Sequence, residues 1–277
     1  MKRINISPTG FDYVPPENRR PGDIPFSGFH TFGKTPKHLE WCRDNSAPGG
    51  KMYVDGWVMH AHNEPIYPKY GWLTEPRSIT PELYRWLDSN IDFVINTFDK
   101  FIVSDTRYLS FSPKFVWSPI GGSWIHDKGI HKKSKMISMI CSNKNMCLGH
   151  KKRLMWRDRL QGNVDIFGKG FNPVDKKEDA LNDYMFSVVL ENEECPGYFT
   201  EKIIDCFLTG TIPIYVGAPN IGRFFNMDGI FLLEEHKVEL SKELYAERMD
   251  AIEENYRLAL NYEIIEDWIY HQCFKDS

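Results

Sequence analysis

The stretch MFSVVLENEECPGYFTEKIIDCFLTGTIPIYVG, residues 185–217, decides the fold. It opens with an apolar run, Phe186 to Leu190, broken only by Ser187, passes through a polar loop, enters a segment with helical spacing and ends on the largely β-branched run Ile212 to Val216. Ile203, Ile204, Phe207 and Leu208 fall on one helical face, and Gly210 stands where a helix stop is expected. Strand, helix, strand at this spacing is a βαβ unit, which requires a parallel pair joined by a right-handed crossover.

Working outward, the same alternation continues on the N-terminal side. The spacing predicts a strand over 136–141, a helix over about 149–161, a strand over 164–167 and a helix over 176–183. Downstream, Ser241 to Cys273 has a helical pattern. The lysine-rich stretch HDKGIHKKSK, 126–135, is polar enough for a linker. The predicted division is therefore a first lobe over 1–135 and a second lobe over 136–277 that carries the helical tail. In the first lobe, KMYVDGWVMHAH from Lys51 has the composition of a strand. Pro81 to Leu87 predicts a helix capped by Thr80, and Phe93 to Thr97, Phe101 to Ser104 and Phe115 to Trp117 are short apolar pieces. Residues 8–50 are rich in Pro, Gly and charge, the signature of long loops.

A formal net charge of -4 over 277 residues gives no general attraction to a phosphate backbone, so nucleic acid is not an expected partner. No apolar run approaches the roughly 20 residues that cross a bilayer, and the first residues lack a signal-peptide core; a soluble, cytoplasmic chain without a transmembrane segment is expected. The six cysteines are too irregularly spaced for a disulfide scaffold or a zinc site. The sequon Asn5-Ile6-Ser7 carries no weight by itself.

The helix start at 198–202 needs more than packing to explain it. Asn192, Tyr198, Thr200, Glu201 and Lys202 cluster at the carboxyl end of a predicted parallel strand, where open α/β sheets bind ligands. Free backbone N–H groups and the helix dipole suit a diphosphate, Lys202 adds a full positive charge, and Glu201 can accept from sugar hydroxyls. These are the requirements of a nucleotide-sugar site. Taken alone, the same residues also fit an ordinary solvated first turn.

The segment ENEECPGYFTEKIIDCFLTGTIPIYVGAPNI resembles the donor-binding motif of glycosyltransferase family 10, the α1,3/α1,4-fucosyltransferases: a FEN-type start, a short loop, Tyr-x-Thr-Glu-Lys, then a Gly-Thr-Ile-Pro-Ile strand. Asn192, Tyr198, Thr200, Glu201, Lys202 and Pro213 are in register, while Leu190 replaces a usual Phe. Upstream, CSNKN (141–145) and KKRLMWRDRL (151–160) are similar to the family's Ser-Asn segment and Arg-bearing helix, so the resemblance makes Arg153 a phosphate ligand, a job that suits a guanidinium. Without it, Arg153 is one of several cations on an exposed helix. Arg223 matches a cation of some members.

The resemblance implies a GT-B type α/β fold, two Rossmann-like lobes with parallel sheets facing a central cleft. It implies an inverting transfer of fucose from GDP-fucose to a hydroxyl of an oligosaccharide or glycoconjugate, with no obligatory metal or cofactor. The lack of an Asp-x-Asp motif agrees with that. Another nucleotide-sugar donor, or a silent glycan- or nucleotide-binding protein, would keep the same motif. The general base is implied in the first lobe, where WLTEPRSI makes Glu75 the nearest equivalent; a plain loop carboxylate paired with Arg77 or Arg85 is the alternative. His60 and His62 would point the same way from a strand, as acceptor contacts or, with Glu64, as metal ligands. Trp57, Tyr70, Trp72, Trp117 and Trp124 could stack on sugar rings. Asp205, one turn after Glu201, is expected to face solvent.

Overall fold

The computed structural model describes residues 1–7, 34–234 and 239–275. The chain divides into two compact units, Met1–Ser123 with Ile264–Ser277, and Trp124–Glu263.

The first unit is built on β1 (Lys2–Ile6), β2 (Leu39–Cys42), β3 (Lys51–Val54), β4 (Lys69–Trp72), β5 (Lys100–Val103) and β6 (Phe115–Trp117), all parallel, in the order β2-β1-β3-β4-β5-β6. Alternation along the strands sends Met52, Val54, Trp72 and Ile102 to one face and Tyr53, Phe101 and Val103 to the other. The second face is covered by α1 (Pro81–Ser89) and α2 (Ile91–Thr97) through Leu83, Leu87, Val94 and their neighbours. Gly71 belongs to this packing, because a Cβ there would meet the Phe101 ring at 2.3 Å.

The first face is covered by a helix from the far end of the chain, Ile265–Cys273. Ile265, Ile269 and Cys273 recur every fourth residue and sit with Phe274 among Ile4, Ile6 and Trp72. Burying each large side chain there stabilises by about 1.5–3 kcal/mol, and the Asp267 carboxylate accepts from the backbone N–H groups of Lys37 and His38 (2.8 and 2.9 Å). This corrects the division expected from sequence. The tail is adjacent in sequence to the second lobe, but its apolar face is the missing layer of the first, and the boundary between units falls at 123/124 rather than 135/136.

Other expectations in this unit also change. The run from Lys51 is a strand only to Val54; Asp55–Asn63 is 3-10 helical, and Ile91–Thr97 is helix rather than an extended piece. Thr80 occupies the N-cap position of α1, but its hydroxyl donates to the Pro76 carbonyl (3.3 Å) instead of capping. Most of the loop expected at 8–50 lies outside the described residues. Asn5 of the sequon is 1% exposed and donates to the carbonyls of Ala47 and Gly50, so it is a structural amide.

The second unit has β7 (Lys135–Ile140), β8 (Asp165–Phe167), β9 (Tyr184–Leu190), β10 (Ile212–Val216) and β11 (Phe231–Leu232), again all parallel, in the order β11-β10-β9-β7-β8. Its helices are α3 (Leu148–Leu160), α4 (Glu201–Leu208), α5 (Lys242–Glu247) and α6 (Met249–Ala259). The predicted elements are found within a residue or two, except that 176–183 shrinks to a 3-10 turn over Lys177–Ala180. Phe186, Val188, Ile212 and Ile214 form the core with Tyr245 and Ile252. Gly210 ends α4 with φ +69°, a left-handed conformation that a side chain would strain. Among the described residues, no helix is long and apolar enough to cross a membrane.

Candidate functional site

The strand order of the second unit fixes where a ligand can enter. From β7 the chain runs through α3 to β8 on one side; from β9 it runs through α4 to β10 on the other. The strands β7 and β9 are neighbours, so their carboxyl ends flank a topological switch point, the crevice where doubly wound sheets bind ligands. A cavity of about 160 Å³ opens there, lined by Ser142, Arg153, Lys177, Glu201, Lys202 and Asp205, with Ile140, Leu181, Cys206 and residues 187–190 as its walls.

Arg153 reaches this crevice from α3. Its guanidinium donates to the Leu190 carbonyl from Nε (3.2 Å) and Nη2 (2.8 Å), and from Nη2 to Asn192 Oδ1 (2.8 Å). Among the cations of α3 it alone is buried; Lys152 is taken up by Glu194 and Glu234 (2.8 and 2.7 Å). That geometry removes the reading of Arg153 as one more solvated charge, and its Nη1 group takes no part in these three bonds. Gly149 brings the helix within reach, since a Cβ there would lie 2.3 Å from the Asn192 carbonyl oxygen.

Across the crevice, Thr200 caps α4, its hydroxyl accepting from the Lys202 backbone N–H (3.3 Å). The residue that organises this end is Glu191, whose side chain is fully buried. It accepts from the Thr200 N–H (2.9 Å) and hydroxyl (2.8 Å), and its Oε2 lies 3.1 Å from Lys202 Nζ. Lys202 also donates to Thr200 Oγ1 (2.9 Å). A buried carboxylate thus holds the ammonium at the helix N-terminus, where the dipole adds to its positive potential. Glu201 lies beside it, its carboxylate 3.5 Å from Lys202 Nζ and 3.7 Å from Lys177 Nζ. Tyr198 is 1% exposed and is not among the cavity-lining residues.

Sequence reasoning passed over Glu191, His150 and Lys177 and placed Asp205 in solvent. The clue to Glu191 is a charge placed directly after the all-apolar VVL. His150, on the first turn of α3, accepts the Met146 N–H at Nδ1 (3.2 Å). Burial, and then the charges of Arg153, Lys144 and Lys202, push it down to about 4, so it is neutral at physiological pH and reports a locally positive potential in a chain that is net negative. Asp205 does not face solvent as expected. Its side chain is 1% exposed, accepting from the Trp124 N–H (3.0 Å) and from Lys177 (2.8 Å). The apolar residues on both sides of it, IIDCF, are the signal that α4 is buried nearly all round.

The first-lobe residues gather differently. Glu75 follows β4 and is partly exposed, with its carbonyl accepting from the Tyr84 hydroxyl (3.1 Å). The arginine beside it, Arg77, is engaged by Asp88 (2.8 Å) and Tyr108 (2.7 Å), and Arg85 pairs with Glu82. Next to the loop, Asp55 takes φ +48° and its carboxylate accepts from both the N–H (2.8 Å) and hydroxyl (2.6 Å) of Thr74. His60 and His62 are exposed on 3-10 backbone rather than on a strand. Among the described residues no group of three or more His, Cys, Asp or Glu is placed to hold a metal ion. Tyr70 and Trp72 are core residues, whereas Trp57, Trp124 and Arg223 are exposed.

Comparison with known proteins shows what this part of the chain is similar to. Residues 130–264 match the family model described as glycosyltransferase family 10 (fucosyltransferase), C-terminal. The chain is 33% identical over 109 residues to an α-(1,3)-fucosyltransferase of Helicobacter pylori, covering 37% of this chain and 22% of that protein. It is 29% identical over 184 residues to a putative fucosyltransferase of Acanthamoeba polyphaga mimivirus, covering 57% and 30%. The chain thus spans less than a third of the length of these curated relatives. A crystal structure of an α1,3-fucosyltransferase superimposes with a TM-score of 0.51 at 16% identity, over 95% of this chain and 80% of that one. Likeness at that level shows a shared fold, the two parallel α/β units of the GT-B type. The Arg153, Glu191 and Lys202 constellation lies wholly within residues 130–264, the part of the chain that matches the glycosyltransferase family 10 (fucosyltransferase) C-terminal family model.

Proposed function

We propose that this protein is an inverting fucosyltransferase of the α1,3 type, moving fucose from GDP-fucose to a hydroxyl of an oligosaccharide or glycoconjugate. The observation that carries the donor half is the Glu191-anchored Lys202 at the α4 N-terminus, facing the buried Arg153 across the switch point. Arg153, Lys202 and the helix dipole would hold the diphosphate and take up the charge that develops on its β-phosphate oxygen as the bond to the sugar breaks. Glu201 would accept from hydroxyls of the nucleotide sugar.

In the transfer, the acceptor oxygen forms a bond to the anomeric carbon from the face opposite GDP, and its proton passes to a general base. Glu75 is the proposed base, on the first unit. Arg153 and Lys202 would neutralise the leaving group in place of a metal, so the proposed reaction needs no obligatory metal. The experiment is a thermal-shift titration in EDTA. GDP raises the melting temperature of the wild type by several degrees at about 100 times its Kd, and Lys202→Ala or Arg153→Ala abolishes the shift. No response to any guanine nucleotide would sink the donor assignment; turnover of another nucleotide sugar in place of GDP-fucose would redirect it.

A further inference from the structure

In the first sheet β1, β3 and β4 are neighbours, and side chains tie their carboxyl ends together beyond the ladder itself. The Ser7 hydroxyl, just past β1, accepts from the Val54 N–H at the end of β3 (2.9 Å). Asp55 comes next, and its carboxylate crosses to Thr74, past the end of β4, accepting from its N–H (2.8 Å) and its hydroxyl (2.6 Å). Thr74 is 3% exposed. Glu75 follows it. The Glu75 carbonyl accepts from the Tyr84 hydroxyl of α1 (3.1 Å), and the Pro76 carbonyl accepts from the N–H groups of Ile79 and Thr80 (2.9 and 3.0 Å). The backbone on both sides of Glu75 is therefore held, and the freedom left to its carboxylate is that of its own side-chain torsions.

Asp55 stands in the left-handed region at φ +48°, which L residues occupy at a cost and which Asp offsets most often by bonding its own nearby backbone. Here the carboxylate reaches 19 residues along the chain instead. Gly56 would bear the left-handed conformation freely, yet Asp55 takes it, while a Cβ on Gly56 would meet nothing closer than Met59 Cε at 3.8 Å. Burial pushes the Asp55 carboxyl up, against the pull of the two Thr74 bonds. A strained, half-buried carboxylate outside the apolar clusters on either face of the sheet is kept for what it holds.

We propose that Asp55 is a positioning residue for Glu75, fixing through Thr74 the backbone from which the Glu75 carboxylate meets the acceptor hydroxyl. The inference rests on the proposed role of Glu75 as general base. In the transfer the acceptor O–H bond breaks, the proton goes to a Glu75 carboxylate oxygen, and the freed electron pair forms the bond to the anomeric carbon as GDP departs. Proton transfer of this kind needs heavy atoms about 2.6–3.2 Å apart, and a misplacement of about 1 Å lowers the rate about 10²-fold. Asp55 touches neither the proton nor the sugar; it acts through the peptide that Thr74 shares with Glu75.

Release of GDP from GDP-fucose, with lactose or water as the acceptor, tests this. Asp55→Gly keeps the left-handed backbone and deletes the carboxylate, so kcat is expected to fall about 10²-fold, with KM for GDP-fucose within about twofold of wild type and the GDP thermal shift intact. Asp55→Asn still accepts the Thr74 N–H at Oδ1 and donates from Nδ2 to the hydroxyl, which returns kcat to within about fivefold of wild type. Thr74→Val loses the hydroxyl bond alone and lowers kcat about tenfold. Because Asp55 acts only through Glu75, adding Asp55→Gly to Glu75→Gln lowers the residual rate no further, whereas a general structural role would lower it again. Wild-type kcat in Asp55→Gly and Thr74→Val would overturn the inference, and so would a further loss in the double variant or an Asp55→Asn enzyme as slow as Asp55→Gly. Should Asp55→Gly lose its melting transition, Thr74→Val and Asp55→Asn decide by the same criteria. Undiminished turnover in Glu75→Gln removes the base and this inference with it, and a wild type that releases no GDP removes the proposed function; failure of Asp55 alone produces neither result.

Discussion

The two units share a construction and differ in what it holds. Each has a parallel sheet with a switch point, between β1 and β3 in the first and between β7 and β9 in the second, and beside each a carboxylate, half-buried in the first and buried in the second, anchors a neighbouring segment. In the second unit Glu191 anchors a cation, Lys202. In the first, Asp55 anchors a neutral partner, Thr74, next to Glu75. One edge is thereby made electropositive, as a diphosphate requires, and the other presents carboxylate and hydroxyl groups, which suit a neutral sugar hydroxyl and removal of its proton. The contrast teaches that the anchoring is common architecture, and that the proposed division of chemistry rests on the charge of what is anchored.

The largest test of this division acts on the first unit. If Glu75 is the base, Glu75→Gln lowers the turnover of GDP-fucose and acceptor by about 10²–10⁴ and leaves the GDP thermal shift of the wild type intact. Lys202→Ala does the opposite to binding, removing the shift. A Glu75→Gln enzyme with undiminished turnover would break the comparison and return Glu75 to a loop carboxylate.

A smaller effect separates the anchor from the cation it holds. Glu191→Gln keeps the shape of the side chain but takes away the charge opposite Lys202. Breaking a buried pair costs about 3–5 kcal/mol, and because Lys202 retains 22% side-chain exposure and can turn to water, the cost belongs at about 3 kcal/mol. Chemical denaturation should show that loss, together with weaker GDP binding. A corresponding loss of stability without any change in GDP affinity would mean that Glu191 serves the fold alone.

How far these residues could be read in advance differs between the units for a physical reason. The second unit's site is nearly contiguous, since a strand end, a loop and a helix start place Glu191 through Lys202 together by local geometry. The periodicity of 185–217 was therefore enough to bring these residues together, but not to tell a ligand site from a solvated first turn; the family resemblance supplied that reading. Arg153 came within reach only through the family resemblance, because helix α3 carries several cations and periodicity could not say which one Gly149 lets approach Asn192. Asp205 was misplaced because a charge in the first turns of a helix is usually solvated, and the burial of α4 on its outer side comes from the linker around Trp124, which has no local signature. The docking of Ile265–Cys273 on the first sheet is the extreme case: its amphipathic spacing was legible, but which sheet lacked a layer was not. In the first unit, Asp55 and Thr74 are 19 residues apart, and nothing in either neighbourhood announces the bond between them.

His150 gives the smallest test and the most direct measure of the field in the second unit. Its folded pKa is about 4, against 6.5 for the ordinary side chain, so between those values the unfolded chain binds the proton and the folded chain does not. Stability therefore rises with pH across that window. It is fully present above about 6.5, and by pH 5 this residue alone has removed about 2 kcal/mol. Burial is the larger cause and the neighbouring cations the lesser. His150→Gln, which cannot titrate, should flatten the stability profile between pH 5 and 7, whereas Lys202→Ala should lift the pKa of His150 only partway toward its ordinary value, measurable by NMR titration of the ring. A pKa unmoved by Lys202→Ala would mean that burial accounts for the whole shift and that the positive potential at the crevice is weaker than the arrangement of Arg153, Lys144 and Lys202 implies. Binding of a diphosphate supplies the converse: added negative charge at the crevice should raise the His150 pKa, linking proton uptake to donor binding below pH 6.5 in this unit and leaving the Asp55 and Thr74 pair of the other unit untouched.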